Sequence, residues 1–244
     1  MSITTDNFDN HDIVGQHQLI DLFGGSKGKK VISCTTGSDL NYLVIVQDAN
    51  VTITINQLAG SHTTIQAIIL SSWIASSLTL NVVLRESDSH SQINVVSFCT
   101  PHSECQIDAG VTMEAGISGV EWHLLEKNIL LWWSLKLRTL PLLDIRSNDI
   151  VASHGAQVDR LNPVEMFYCM SRGLSKSQST QLMIDSIVHT HMSHIQSDTI
   201  IIPLQNLLSN YILSLMGISW PQIQAPSNRS QRVSHHLHST QPKH

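Results

Sequence analysis

Imidazoles and thiols are the side chains here whose type could do metal chemistry, among them His154, in Ser153-His154-Gly155-Ala156-Gln157-Val158-Asp159-Arg160-Leu161, which also fits a turn histidine held by ring hydrogen bonds. A neutral imidazole offers a lone pair to a borderline metal. Other candidate donors are dispersed. Cys34, Cys99, Cys105 and Cys169 form no C-x-x-C pair, which favours free buried thiols over a disulfide framework. Cys105 falls in an alternating strand and Cys169 in an apolar helix, so both are expected in the core. His189, His191 and His194 stand at i, i+2 and i+5 of an expected helix. That spacing scatters them around the cylinder, unlike the i, i+4 pair of a helical zinc site. His235, His236 and His238 lie in a polar tail without fixed geometry. The run Gly24-Gly25-Ser26-Lys27-Gly28-Lys29-Lys30 has the glycines and lysines of a phosphate loop, but no apolar strand leads in and no G-K-[ST] follows. It reads as a solvated linker.

Composition narrows the class. The 244 residues suffice for one large domain or two small ones. A formal net charge of −5 with 14% charged residues gives no basic footprint for nucleic acid. Hydrophobic residues at 41% exclude wholesale disorder. Met1 to Asp6 show neither the basic nor the apolar part of a secretory leader. The longest apolar run, Ile129 to Trp133, is far short of the roughly 20 residues of a membrane span. A cytoplasmic protein with no membrane and no nucleic-acid partner is expected.

The elements that must position His154 are of two kinds. Residues 1–30 form a polar N-terminal segment, and residues 31–161 read as short strands. Leu43-Val44-Ile45-Val46 is continuously apolar. Val51, Ile53 and Ile55 alternate with polar residues, as do Leu78, Leu80, Val82 and Leu84, and the longest alternation runs from Cys105 to Ile117. Period-2 patterns bury one face. Both an antiparallel sandwich and a parallel solenoid fit. Asn-Gly and Asp-Gly, the strong hairpin turns, are absent. Apolar centres near Ile45, Ile69, Ile93 and Ile117 recur at a length suited to one coil. These two features favour the solenoid, although periodicity alone leaves both open.

Residues 162–218 read as a helical subdomain. Asn162, Pro163 and Glu165 suit a cap, a first helical position and a capping box, and Gly173 ends that helix. Ser175 and Gln178 repeat the capping signature, and a third helix is predicted from Ile202 to Met216 with Pro203 in its first turn. Residues 219–244 read as a disordered tail. Trp122, Trp132 and Trp133 fit either core or interface.

The His154 segment followed by Phe167-Tyr168-Cys169-Met170-Ser171-Arg172-Gly173-Leu174 resembles the C-terminal region of the SufB/SufD family, the scaffold subunits of the Suf iron–sulfur cluster assembly system. Thr139-x-Pro141-x-Leu143-Asp144-Ile145 and Asn148-Asp149-Ile150 resemble the family's upstream stretch. The match runs from about residue 137 to 192, and the wall before it agrees in character only. The resemblance implies a right-handed parallel β-helix with a C-terminal α-helical subdomain. It implies that the helical part docks on a SufC-like ATPase, with Phe167, Tyr168, Ser171, Arg172 and Gly173 as partner contacts. It also implies that the β-helix pairs with a SufB-like scaffold or with a second copy of itself.

SufD proteins carry histidine where His154 stands and SufB proteins carry glutamate, so the chain looks SufD-like. The resemblance makes His154 an iron ligand for a transient iron–sulfur cluster shared with a partner subunit, whose thiolate completes the site. No tightly bound cofactor is expected. ATP-driven movement of SufC would reach this site through helices 163–192. One feature departs from SufB: no cysteine lies between Cys105 and His154, and Glu121 and Glu126 occupy that stretch without an assigned role. The chain is also shorter than typical members. The expectation is a non-catalytic, SufD-like scaffold. Its rivals are a degenerate SufC-binding stub and a β-helix carbohydrate-active enzyme, which would need clustered carboxylates on the wall and usually secretion.

Overall fold

Alternating apolar and polar side chains make strands with one dry face, and a strand whose two faces are both apolar must be covered twice. Both kinds occur here. The computed structural model describes residues 2–72, 74–100, 104–131, 136–193, 195 and 198–217. Sheet A contains, in order, β1 (Ser2–Thr5), β3 (Gln16–Gly24), β5 (Asp39–Gln47), β7 (His62–Ser71), β9 (His90–Cys99), β11 (Ser118–Leu130) and β13 (Asp149–Asp159). Sheet B contains β2 (His11–Ile13), β4 (Lys27–Cys34), β6 (Asn50–Gln57), β8 (Ser76–Leu84), β10 (Glu104–Met113) and β12 (Lys136–Ile145). Consecutive strands switch sheets and every described pairing is parallel. The fold is therefore the expected parallel β-helix, and the sandwich is excluded.

Inside the coil, Val44, Ile65, Leu80, Ile93, Val111 and Leu124 belong to one continuous buried core. The opposite face of sheet A carries Leu43, Ile45, Ile68, Leu70, Val96 and Phe98, which are buried against helices α2 (Lys176–Met192) and α3 (Asp198–Leu215). This double cover explains the continuous apolar run in β5. The outward face of sheet B meets no helix in that cluster and keeps polar residues such as Thr52, Thr54, Thr79 and Asn81.

Several sequence expectations change. The Gly24–Lys30 run is no solvated linker: it is the turn between β3 and β4 and the first half of β4, and β1 to β4 form the first two coils within the polar N-terminal segment. Lys30 points inward, fully buried, and its Nζ lies 2.6 Å from Asp21 Oδ2. Tyr42 OH donates to the same oxygen at 2.7 Å, and Thr4 donates to the other. A lysine hidden by its ion pair is invisible to a hydropathy pattern. Gly28 is required by close approach, since a Cβ there would meet the Phe8 ring at 2.6 Å.

The four isoleucines taken as repeat marks do not stack. Ile45 pairs with Ile68, Ile69 with Ser97 and Ile93 with Leu124. Coils lengthen along the chain, because the turns between strands absorb extra residues without disturbing the ladder. The alternation from Cys105 to Ile117 likewise runs past the end of β10 into a turn at Gly116.

The helical caps form largely as read. Asn162 Oδ1 accepts from Val164 N at 2.9 Å at the start of α1 (Pro163–Ser171), although Glu165 meets the Asn162 side chain and not its backbone. Ser175 and Gln178 make both halves of a capping box on α2. α3 starts earlier than predicted, so Pro203 lies inside it. α1 buries none of its residues, and Cys169 is half-buried, not core. Trp122 is fully buried inside the coil. Trp132, Trp133, His194 and the 219–244 tail lie outside the described residues. No described helix is long and apolar enough to cross a membrane.

Candidate functional site

β13 is the last strand of sheet A, and alternation along it decides where His154 points. Ile150 and Ala152 pack on the interior core, whereas a Cβ on Gly155 would meet the outward Leu125 side chain. His154 therefore belongs to the inward set. It is nevertheless exposed, and among the described residues no further coil stacks on β12 and β13. Leu143, Ile145 and Val158 share this condition, facing inward yet left uncovered. The coil end thus presents apolar interior side chains, one imidazole, and two long strand edges with no further strand beside them among the described residues. Such edges favour pairing with another chain.

Leu124 of β11 lies opposite His154, and the next inward residue along that strand is Glu126, opposite Ala156 and fully buried. Thr139 of β12 donates to its Oε2, while Oε1 has no partner. Burial raises the carboxyl above its ordinary range, the Thr139 hydroxyl and then the His154 charge lower it, and Asp108 raises it. Deeper in the same interior, Asn128 accepts from Ser97 at 2.6 Å, and Cys99 Sγ is 3.8 Å from that serine oxygen. Cys34, Cys99 and Cys105 are all buried. Burial pushes the Cys34 thiol up to about 12, and a hydrogen bond with Cys99, then burial, raises Cys105.

The structure separates the two acids that the sequence left without roles. Glu121 faces outward beside His90, whereas Glu126 faces inward, diagonally across the ladder from His154. Continuing the inward series Val120, Trp122, Leu124 by two residues would have singled out Glu126. Among the described residues no three His, Cys, Asp or Glu side chains are grouped to hold a metal ion. His154 is a single donor. His189 is exposed on α2, and His191 Nδ1 lies 3.0 Å from the Ile187 carbonyl.

The residues expected to meet a partner gather at one end of α1. Phe167 is 72% exposed and Tyr168 58%, and the Arg172 guanidinium lies 5.2 Å from the Tyr168 ring centre. Ser171 donates to the Tyr168 carbonyl at 2.7 Å, and Gly173 takes φ +94° to end the helix. β13 leads to this helix through Arg160, Leu161 and Asn162 alone.

A terminal coil carrying S-H-G-A and passing straight into F-Y-x-x-S-R-G can be compared with known proteins. Residues 49–187 match the family described as "SUF system FeS cluster assembly, SufBD core domain". The chain belongs to the SufBD family. It is 29% identical over 90 residues to the iron–sulfur cluster assembly protein SufD of Escherichia coli, covering 34% of this chain and 21% of that protein. It is 41% identical over 44 residues to SufD of Bacillus subtilis, covering 18% of this chain and 10% of the relative. A SufBD family protein of Synechocystis is 36% identical over 62 residues, covering 25% and 14%. The matched segments thus span about a fifth or less of these relatives.

Proposed function

We propose that this SufBD-family chain is a SufD-like scaffold in cytoplasmic iron–sulfur cluster assembly, working in a complex and catalysing no reaction itself. The open coil end is the surface for a SufB-like subunit or a second copy, and the exposed end of α1 is the surface for a SufC-like ATPase. His154 supplies one ligand to iron of the nascent cluster, which is cargo and not a resident cofactor. The observation that carries this reading is that His154 faces the coil interior yet remains accessible, so a partner capping the coil would enclose it.

The chemistry available to the chain is limited and specific. His154 can donate a lone pair to iron. The nearby Glu126 carboxyl, when ionised, lowers the cost of bringing a cation to this end. The remaining ligands must come from the partner, because the buried cysteines lie deeper in the coil. The three-residue link from β13 to α1 gives movement of α1 a short covalent route to the strand bearing His154.

The test is co-expression with SufB-like and SufC-like subunits, comparing wild type with His154→Ala. An intact complex that loses iron loading supports the proposal. The single donor at the coil end also favours a second reading, a SufC-binding stub without cluster handling, which an intact complex with unchanged loading would select. Phe167→Ala with Arg172→Ala should release the ATPase while leaving the fold intact. Release of a sugar product would instead favour a carbohydrate-active enzyme.

A further inference from the structure

The outer face of sheet A, at the start of its strands, carries a set of imidazoles that the coil end does not use. Parallel register places His62 of β7 directly opposite His90 of β9. Their rings stack with centres 4.7 Å apart and planes 1° from parallel. Parallel strands stand about 4.8 Å apart, so the ladder itself imposes this spacing. On the next rung, Glu121 of β11 lies opposite His90, with its Oε2 3.5 Å from His90 Nδ1. His123, two residues further along β11, contacts Ser153 Oγ through Nδ1 at 2.7 Å. These side chains line a shallow depression of about 200 Å³ with Thr64 and Gln92.

From this geometry we propose that His62 and His90 form a two-imidazole clamp for a divalent first-row transition ion, with Glu121 orienting His90. Imidazole nitrogens suit zinc, copper, nickel and ferrous ions. A carboxylate on one ring nitrogen holds the ring and makes the other nitrogen the metal-facing donor, the arrangement found behind most ligating histidines. Metal–nitrogen bonds of about 2.0–2.1 Å place two tetrahedral ligands roughly 3.4 Å apart. Two solvent-facing rings reach that separation by tilting toward each other at their outer edges. The chain supplies two donors and water supplies the rest; the described residues hold no group of three donors. The site faces outward on three adjacent strands, whereas His154 faces inward, and it does not depend on the proposed scaffold function.

The experiment is a calorimetric titration of the full chain with Zn²⁺ alone. His235→Ala, His236→Ala and His238→Ala are introduced first, so that the tail does not compete. The expected result is one Zn²⁺ per chain, lost on His62→Ala or His90→Ala and weakened about tenfold by Glu121→Gln. Zn²⁺ should also raise the melting temperature of the tail-substituted parent and not of the His62→Ala variant, because ligand binding stabilises only the state that binds. Circular dichroism checks that the variants fold. Unchanged Zn²⁺ binding in a folded His62→Ala/His90→Ala double variant would overturn the clamp, as would a parent that binds no Zn²⁺.

Discussion

The Glu126 carboxyl lies inside the coil diagonally across the ladder from His154, and the imidazole, after the Thr139 hydroxyl, offsets part of what burial does to it. A carboxyl whose folded pKa is raised binds its proton more tightly in the folded chain. Its contribution to stability is complete below about pH 4.3, the ordinary glutamate value, and is lost as pH rises through the folded value. Glu126→Gln removes that loss and keeps an acceptor for Thr139. The variant should gain on wild type as pH rises from about 4 to 7.5. Thermal melts at the two pH values measure this, and an offset independent of pH would count against a buried charge.

The Lys30–Asp21 pair makes a larger claim on stability. Removing one member of a buried ion pair leaves the other uncompensated, at a cost of about 3–5 kcal/mol. Lys30→Met should therefore destabilise strongly in urea titrations, and adding Asp21→Asn should recover part of the loss. A single variant as stable as wild type would mean that the pair is hydrated.

Thiol accessibility divides the cysteines. Cys169 should alkylate in the native protein, whereas Cys34, Cys99 and Cys105 should react only after unfolding. The raised thiols also predict a stability that is complete below about pH 8.5, the ordinary thiol value, and declines as pH rises toward the folded value of about 12 for Cys34. Peptide mapping of iodoacetamide adducts distinguishes the classes. Equal labelling of all four in the native state would contradict the packing.

The open coil end predicts a variant that folds but does not associate. Leu143→Asp with Val158→Asp places charge on inward positions that nothing covers, so the melting temperature should change little. Association with a SufB-like subunit or a second copy should fall by at least about tenfold, since a desolvated unpaired charge costs more than 1.4 kcal/mol. Size-exclusion chromatography with light scattering reads the result, and undiminished assembly would move the interface elsewhere.

Local patterns announced the strands of β6 and β8, the caps at Asn162 and Ser175, and the His154 segment, because each is set by residues close in sequence. Register was not legible. The coil lengths are fixed by which turns lengthen, and apolar residues of both faces look alike in sheet A, so Ile45 and Ile69 passed for equivalent positions while facing opposite sides. The same blindness hid the site's second member: Glu126 looks like any surface acid until its strand is phased. His62 and His90 are separated by a whole coil, and only the ladder brings their rings together.

Because α2 and α3 cover only sheet A, the molecule has a blind side. The polar flank of sheet B carries neither the coil end, nor the α1 face, nor the stacked imidazoles. A fluorophore or a surface tether grafted at Thr54 would hold the protein there and leave all three free for whatever arrives.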